Sequence, residues 1–351
     1  MIKINQRNIF LYKMEGKLLI IYLLFIGFIS IKSIDVSTVE ELVKALEKAR
    51  AGQIIAIAPG VYDLSEYEKK SEFTLESSGT NSRPITLTAQ DPENPPLLRA
   101  PTIKDNFILH IRGDYWVIEN IRIGYGGQAI VLDNASYNII RNVEMFSLGS
   151  QAVIMRYGSS NNLFQNCYIH GTGNNNPKYA DGIDIGTPHT EQTTRTNHIA
   201  DNNVIEGCVF RNIATQPIRI REYTSGNEIV KNVFYADGIN GNNDSDNFIV
   251  ISGNDNYIHK NVFHRNSNKF IVSAFKVKKL FEDSGDGNKF ENNVLFMDRP
   301  YGQIDPEKRM YVVDGENAQF YVKNNKVDYG NGLLDANSKE FYNSELVTFL
   351  E

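Results

Sequence analysis

Two arginines stand two residues apart in QPIRIR at 216–221, Arg219 and Arg221. On an extended strand, side chains two apart project from the same face, so their guanidinium groups lie side by side. Upstream, DGIDI at 181–185 carries Asp181 and Asp184, and QAVIMR at 151–156 ends on Arg156. Guanidinium forks hold carboxylates through two parallel bonds, so this set suits the binding and neutralisation of an acidic ligand. His189, Glu191 and His198 follow in a polar stretch and add groups that can bind or move protons. A solvated ion-pair network on a sheet surface would use the same residues.

These residues need a scaffold that brings them together, and a repeat supplies it. After residue 110 an apolar residue, two variable ones, Asn and another apolar residue recur: VIENI at 117–121, IIRNV at 139–143, LFQNC at 163–167 and VIEGC at 204–208. The series continues as IVKNV at 229–233, IHKNV at 258–262, FENNV at 290–294 and a weak VKNNK at 322–326. The Asn positions are 120, 142, 166, 232, 261, 293 and 325, with Gly207 standing in once. A second pattern of alternating apolar residues falls between the copies, at 128–132, 151–155, 181–185, 216–220 and 246–250. Units this small cannot bury a core alone, so they must stack. The reading is an all-β chain, a single-stranded right-handed parallel β-helix with an N-terminal capping helix, whose rungs lie about 4.8 Å apart. The repeated Asn side chains are expected to stack in a ladder that satisfies corner backbone groups.

Alternation places Ile130/Leu132, Val153/Met155, Ile183/Ile185 and Ile218/Ile220 inside. It places Val131/Asp133, Ile154/Arg156, Asp184/Gly186, Arg219/Arg221 and Ile249/Ile251 outside. Loops at 174–180 and 187–202 enlarge the rung that carries Asp184, and long loops beside one sheet build clefts.

Residues 37–50, STVEELVKALEKAR, present an apolar helix face with Ser37 and Glu40 as a capping box. This helix covers one exposed end of the β-helix and residues 333–350 cover the other. No linker is visible, so residues 34–351 form one domain. Cys167 and Cys208 occupy the same position in consecutive rungs, either as a disulfide or as a stack of thiols.

Composition agrees. The 351 residues include 39 Asn, 26 Gly and 37 Phe plus Tyr, a mixture that favours strands and turns. Residues 18–31, LLIIYLLFIGFISI, follow Lys13 and Lys17 and precede Ser33, the pattern of a signal peptide over 1–33. An uncleaved anchor is the alternative, with few apolar residues for a span of about 20. The rest of the chain holds 31 basic and 41 acidic residues, which disfavours a nucleic-acid binder. Asn134-Ala135-Ser136 and Asn243-Asp244-Ser245 are glycosylation sequons that fit a secreted glycoprotein, expected to be monomeric.

AGQIIAIAPGVYDL at 51–64, SGTNSRPITLTA at 78–89 and GDYWVIENIRI at 113–123 follow the amphipathic helix. This order resembles the pectate-lyase-like superfamily, and within it the chondroitinase-B/alginate-lyase family, over nearly all of the chain after residue 35. QPIRIREYTSGNEIVKNVF at 216–234 is similar to the family's stretch bearing a catalytic Lys. Arg221 falls at that Lys and Gln216 at an acidic calcium ligand, while the family's second catalytic Arg falls near Ile251; the chain departs from the pattern at all three. The resemblance implies β-elimination on an acidic, uronate-containing polysaccharide. Arg219, Arg221 and Asp184 would be catalytic, Arg219 as carboxylate clamp and Arg221 as base. Arg156 and His189 would contact substrate, and Asp181 and Asp184 would hold a Ca²⁺ ion through oxygen ligands.

Two other readings stay open. YADGIDI at 179–185 is similar to a polygalacturonase motif, with Asp181 and Asp184 about 10 Å apart along a strand, near the upper end for an inverting pair. A non-catalytic glycan-binding or surface protein is the other, favoured by Ile249 and Ile251 facing outward beside the arginines.

Overall fold

The computed structural model describes residues 10–14, 17–21 and 33–349, apart from 68–69, 105–106, 189–198, 243–244, 298–308, 315–317, 331 and 337–347. Within residues 1–32, Phe10–Met14 pairs antiparallel with Lys17–Ile21. The remaining residues of the expected leader, with His189, Glu191, His198, Asn243 and most of the expected C-terminal cap, lie outside the described residues.

From residue 33 onward the described residues coil through three sheets, with twelve, eleven and nine strands among them. Each turn of the coil adds one short strand to each sheet, in parallel with its neighbours, so the fold is a parallel β-helix. The exception is Leu333–Asp335, which turns back antiparallel on Lys326–Asp328. The helix Val39–Glu47 buries Val39, Leu42, Val43, Ala45 and Leu46 against the strands Ile34–Val36, Ile54–Ile57 and Phe73–Leu75. Its N-cap is Thr38, one residue later than expected. Thr38 Oγ accepts from the Glu41 backbone N–H at 3.2 Å, and the Glu41 carboxylate accepts from Ser37 N–H at 2.8 Å. The reciprocal cap therefore uses Thr38 and Glu41, not Ser37 and Glu40, because Glu41 is the acid three residues past the cap.

Core side chains stack rung on rung. Ile130, Val153, Ile183, Ile218, Ile249, Phe275 and Tyr311 form one continuous buried column in the nine-stranded sheet. Phe210, Phe234 and Phe263 stack in the eleven-stranded sheet with centroids 4.8 Å apart. Aromatic rings at that spacing add to the area they bury.

The repeated asparagines resolve into two columns rather than one. Asn120, Asn142, Asn166, Gly207, Lys231, Lys260, Asn292 and Asn324 are equivalent, all with φ between 53° and 64°. This corner needs the left-handed region, which Asn and Gly enter most readily. The next position runs Ile121, Val143, Cys167, Cys208, Asn232, Asn261, Asn293 and Asn325, and is buried throughout. Of these two columns it is the inner one that forms a buried ladder: each of Asn261, Asn293 and Asn325 accepts on Oδ1 from the backbone N–H and the side-chain N–H of the preceding Asn. Cys208 N–H donates to Asn232 Oδ1 at 2.8 Å, so the free, buried thiols of Cys167 and Cys208 continue the ladder. A second buried ladder, Asn138, Asn162, Asn203, Asn227, Asn256 and Asn288, closes another corner by the same rule.

Candidate functional site

The outer face of the nine-stranded sheet carries the charged residues. Its strands Phe107–Ile111, Gln128–Asp133, Val153–Arg156, Ile183–Ile185, Ile218–Ile220, Asn247–Ile251 and Ser273–Lys278 lie in register. The inward assignments of Ile130/Leu132, Val153/Met155, Ile183/Ile185 and Ile218/Ile220 hold, since all eight are fully buried. One rung differs. Ile249 pairs with Ile218 and Ile251 with Ile220, so both face inward and Val250 lies outward beside Arg219. Phe248 to Ile251 is an unbroken apolar run, which carries no parity, and a slip of one residue reverses every side chain. The site one rung beyond Arg221 is accordingly Ser252, not Ile251, with Ser252 N–H donating to Ile220.

Asp184 and Arg221 form a bidentate pair, Nε to Oδ1 at 2.7 Å and Nη2 to Oδ2 at 2.6 Å. Arg219 donates through Nε to Asp181 Oδ2 at 2.9 Å and through Nη2 to Gln216 Oε1 at 2.5 Å. Asp181 Oδ1 also accepts from Thr215 Oγ at 2.6 Å and from Gln216 N–H at 3.3 Å. Burial acts to lower the Arg221 pKa, but Asp184, with Asp181 and Glu222 behind it, outweighs burial and pushes it above the ordinary arginine range. That shift opposes the loss of a proton that a base requires.

Gly186 makes room for this pair. At φ +104° a Cβ there would meet Arg221 Cβ at 2.7 Å and Thr224 Cγ2 at 2.6 Å.

On the other side, Arg156 donates to Asp133 through Nε at 2.6 Å and Nη2 at 3.2 Å. Asp133 Oδ2 also accepts from His110 Nε2 at 2.9 Å, and His110 Nδ1 reaches Glu72 at 2.8 Å. Burial would lower the His110 pKa; the two carboxylates overcome it and raise it to about 9. Burial would raise Asp133, yet His110 and Arg156 hold it down at about 2.

Between the two clusters lies a groove of about 380 Å³ lined by Gln151, Ile154, Arg156, Tyr179, Asp184, Gly186, Pro188 and Arg221. The structure thus brings Arg156, Asp184 and Arg221 to one groove and sets Arg219 with Asp181 beside it. Tyr179, half-exposed, enters from the 174–180 loop, and sequence reading had not singled it out. Neither was His110 singled out, although it occupies the outward position of FILHI.

A calcium ion does not fit Asp181 and Asp184 as arranged. Each carboxylate already accepts a guanidinium, and a cation there would face Arg219 and Arg221 at close range. Among the described residues no group of three or more His, Cys, Asp or Glu is placed to hold a metal. The same pairing counts against an inverting hydrolase, which needs one of its two carboxyls as a proton donor.

An alginate lyase from Paenibacillus sp. str. FPU-7 superposes with a TM-score of 0.80 at 30% identity, over 90% of this chain and 98% of that one. Pectate lyase Pel9A superposes with a TM-score of 0.58 at 17% identity, over 87% of this chain and 73% of its own. A rhamnogalacturonan lyase gives 0.57 at 13% identity, over 88% and 82%. No curated protein matches the sequence. Residues 30–212, more than half of the chain, match the family described as the Pel9A-like right-handed β-helix region. With that match and the 30% identity along nearly the whole fold, the chain belongs to the Pel9A-like family of right-handed β-helix proteins, and its fold is that of alginate and pectate lyases.

Proposed function

We propose that this protein is a polysaccharide lyase that cleaves an acidic, uronate-containing polymer by β-elimination in the groove between Arg156 and Arg221. The observation that carries the proposal is two guanidinium groups at the wall of one groove, Arg221 steered by the buried Asp184 and Arg156 by the partly buried Asp133, on the fold of a 30% identical alginate lyase. A uronate carboxylate held there is neutralised, which acidifies the neighbouring C–H. Arg221 acts as a second clamp, since Asp184 strengthens its hold on its proton.

Of the ionisable side chains that line the groove among the described residues, Arg156, Asp184 and Arg221 are committed to ion pairs. Tyr179 is the fourth: as a phenolate it takes the C–H proton, and as the phenol so formed it returns that proton to the leaving oxygen. Arg219 and Asp181 support this wall from beside it.

Export fits such a substrate, and the 18–31 apolar stretch supports removal of residues 1–33 as a signal peptide. Among the described residues no helix is long and apolar enough to cross a membrane. With Ile249 and Ile251 inside the core, the feature that favoured a non-catalytic binder is gone.

The test is ultraviolet absorbance of the purified chain mixed separately with alginate, polygalacturonate and chondroitin or dermatan sulfate. β-Elimination leaves an absorbing unsaturated uronate and hydrolysis does not. A rise with one polymer names the substrate. No rise, with no new reducing ends on any of them, overturns the proposal for these polymers.

A further inference from the structure

The groove arginine Arg156 is reached through a chain of charges that starts two rungs away at the buried His110. His110 lies on Phe107–Ile111, Asp133 on the next strand and Arg156 on the one after. The His110 side chain is only 4% exposed, and both ring nitrogens meet carboxylates, Glu72 at 2.8 Å and Asp133 at 2.9 Å. A carboxylate only accepts, so both nitrogens must donate and the ring is an imidazolium. Asp133 in turn grips Arg156 through both oxygens.

We propose that His110 is a positioning residue: as an imidazolium it fixes Asp133, and Asp133 fixes the Arg156 guanidinium at the groove wall. This rests on the lyase reading for its effect on catalysis but not for its effect on Arg156.

The charges around His110 support it. Glu72 and Asp133 stand against Arg156 and the imidazolium, so the four groups sum to zero. Arg112, the residue after the His110 strand, places Nε 3.4 Å from His110 Nε2 and is itself drawn off by Glu76 at 3.4 Å. Loss of the His110 proton leaves the cluster one unit negative and takes a donor from one of its two carboxylates. A negative cluster beside a groove for a polyanion weakens binding. The raised His110 pKa, about 9, places that change in the alkaline range.

The experiment follows His110 ring nitrogens and the Arg156 Nε–H by ¹⁵N NMR in the full chain, with Arg156→Lys identifying the latter. In the wild type, His110 should titrate far above its ordinary 6.5, and Arg156 Nε–H should lose protection from water exchange in step with it. His110→Gln should lose that protection at neutral pH. In the same variant the KM for alginate should rise about tenfold, as for one lost charged hydrogen bond, with kcat little changed and the alkaline limb absent. Glu72→Gln should lower the His110 midpoint and leave Arg156 protected.

A His110 midpoint near the ordinary value, or full protection of Arg156 in His110→Gln, overturns the assignment. If His110→Gln does not fold, the wild-type titration decides. If wild-type protein leaves alginate intact, the lyase reading fails on that polymer and the NMR result still decides the inference.

Discussion

Asp184 receives Arg221 through two bonds of 2.7 and 2.6 Å, one to each carboxylate oxygen, from the neighbouring rung. Two parallel bonds fix the plane of a guanidinium as well as its position, which a single ammonium cannot reproduce. Arg221→Lys keeps the charge and loses the direction. Its kcat/KM on the cleaved polymer should fall by about tenfold or more, in line with one lost charge-assisted bond. Arg221→Ala instead strands Asp184, which is 4% exposed, and should cost about 3–5 kcal/mol in denaturant unfolding. Unchanged kcat/KM in Arg221→Lys would show that the fork is not used on substrate.

The acid limb of stability should carry the signature of Asp133. Its folded pKa of about 2 lies below the ordinary 3.8. A depressed pKa gives stability that is present above the unfolded value and lost as pH falls through the folded one. The contribution is about 2 kcal/mol, from a shift of nearly two units. Urea unfolding from pH 5 to pH 2 should show this loss, and Asp133→Asn should remove that part of the slope while lowering stability at neutral pH. Equal slopes in the two proteins would count against the network.

Much of this is legible in the sequence alone. The periods of two and of about one rung placed Arg156, Asp184, Arg219 and Arg221 on one outer face, because each strand alternates apolar and polar residues. Three things escaped for physical reasons. The run Phe248–Ile251 is apolar at every position, so nothing in it marks which residues face out. The Asn pattern merged two columns because KN at 231–232 and at 260–261 shifts the Asn by one relative to the corner, as the register shows. His110 and Glu72 stand 38 residues apart, and only the stacking of two rungs makes them neighbours.

On the lyase reading, the surroundings of Asp181 predict cleavage that does not need calcium. One of its oxygens accepts from Thr215 and the Gln216 backbone, and the other from Arg219 at 2.9 Å. No oxygen is turned toward a shared cation site with Asp184, whose two oxygens are both on Arg221. Cleavage should therefore run at the same rate after treatment with EDTA as before it. A rate restored by Ca²⁺ after an EDTA loss would show that the arginines give way to a metal.

Gly186 tests the wall itself. Its φ of +104° and the 2.7 Å approach of a Cβ to Arg221 Cβ leave no place for alanine without displacing backbone or the arginine stem. Gly186→Ala should lower stability by about 1–3 kcal/mol through strain. It should also reduce kcat/KM, because the guanidinium rides on the displaced stem. A variant of wild-type stability and activity would mean that the Gly186 corner relaxes freely.

The two cysteines close the Asn ladder with sulfur. Cys167 N–H donates to Cys208 Sγ at 3.4 Å, the place an Asn Oδ1 takes in later rungs. The Cys208 thiol is pushed well above its ordinary pKa of 9.0, first by its hydrogen bond with Cys167 and then by burial. A buried thiol that holds its proton is a poor nucleophile. Native protein should therefore show no reaction with a disulfide reagent, and both thiols should react once the chain is unfolded without reductant. No thiol in either state would instead show a disulfide. Cys208→Asn should extend the ladder by one rung: its Oδ1 can accept both Cys167 N–H and the thiol, and its amide can donate to Asn232 and to the Phe164 carbonyl that Cys208 Sγ already approaches. Stability equal to or above wild type in denaturant unfolding is expected. A loss larger than about 1–3 kcal/mol, the cost of an orphaned buried polar group, would mean that the sulfur column is too narrow for an amide.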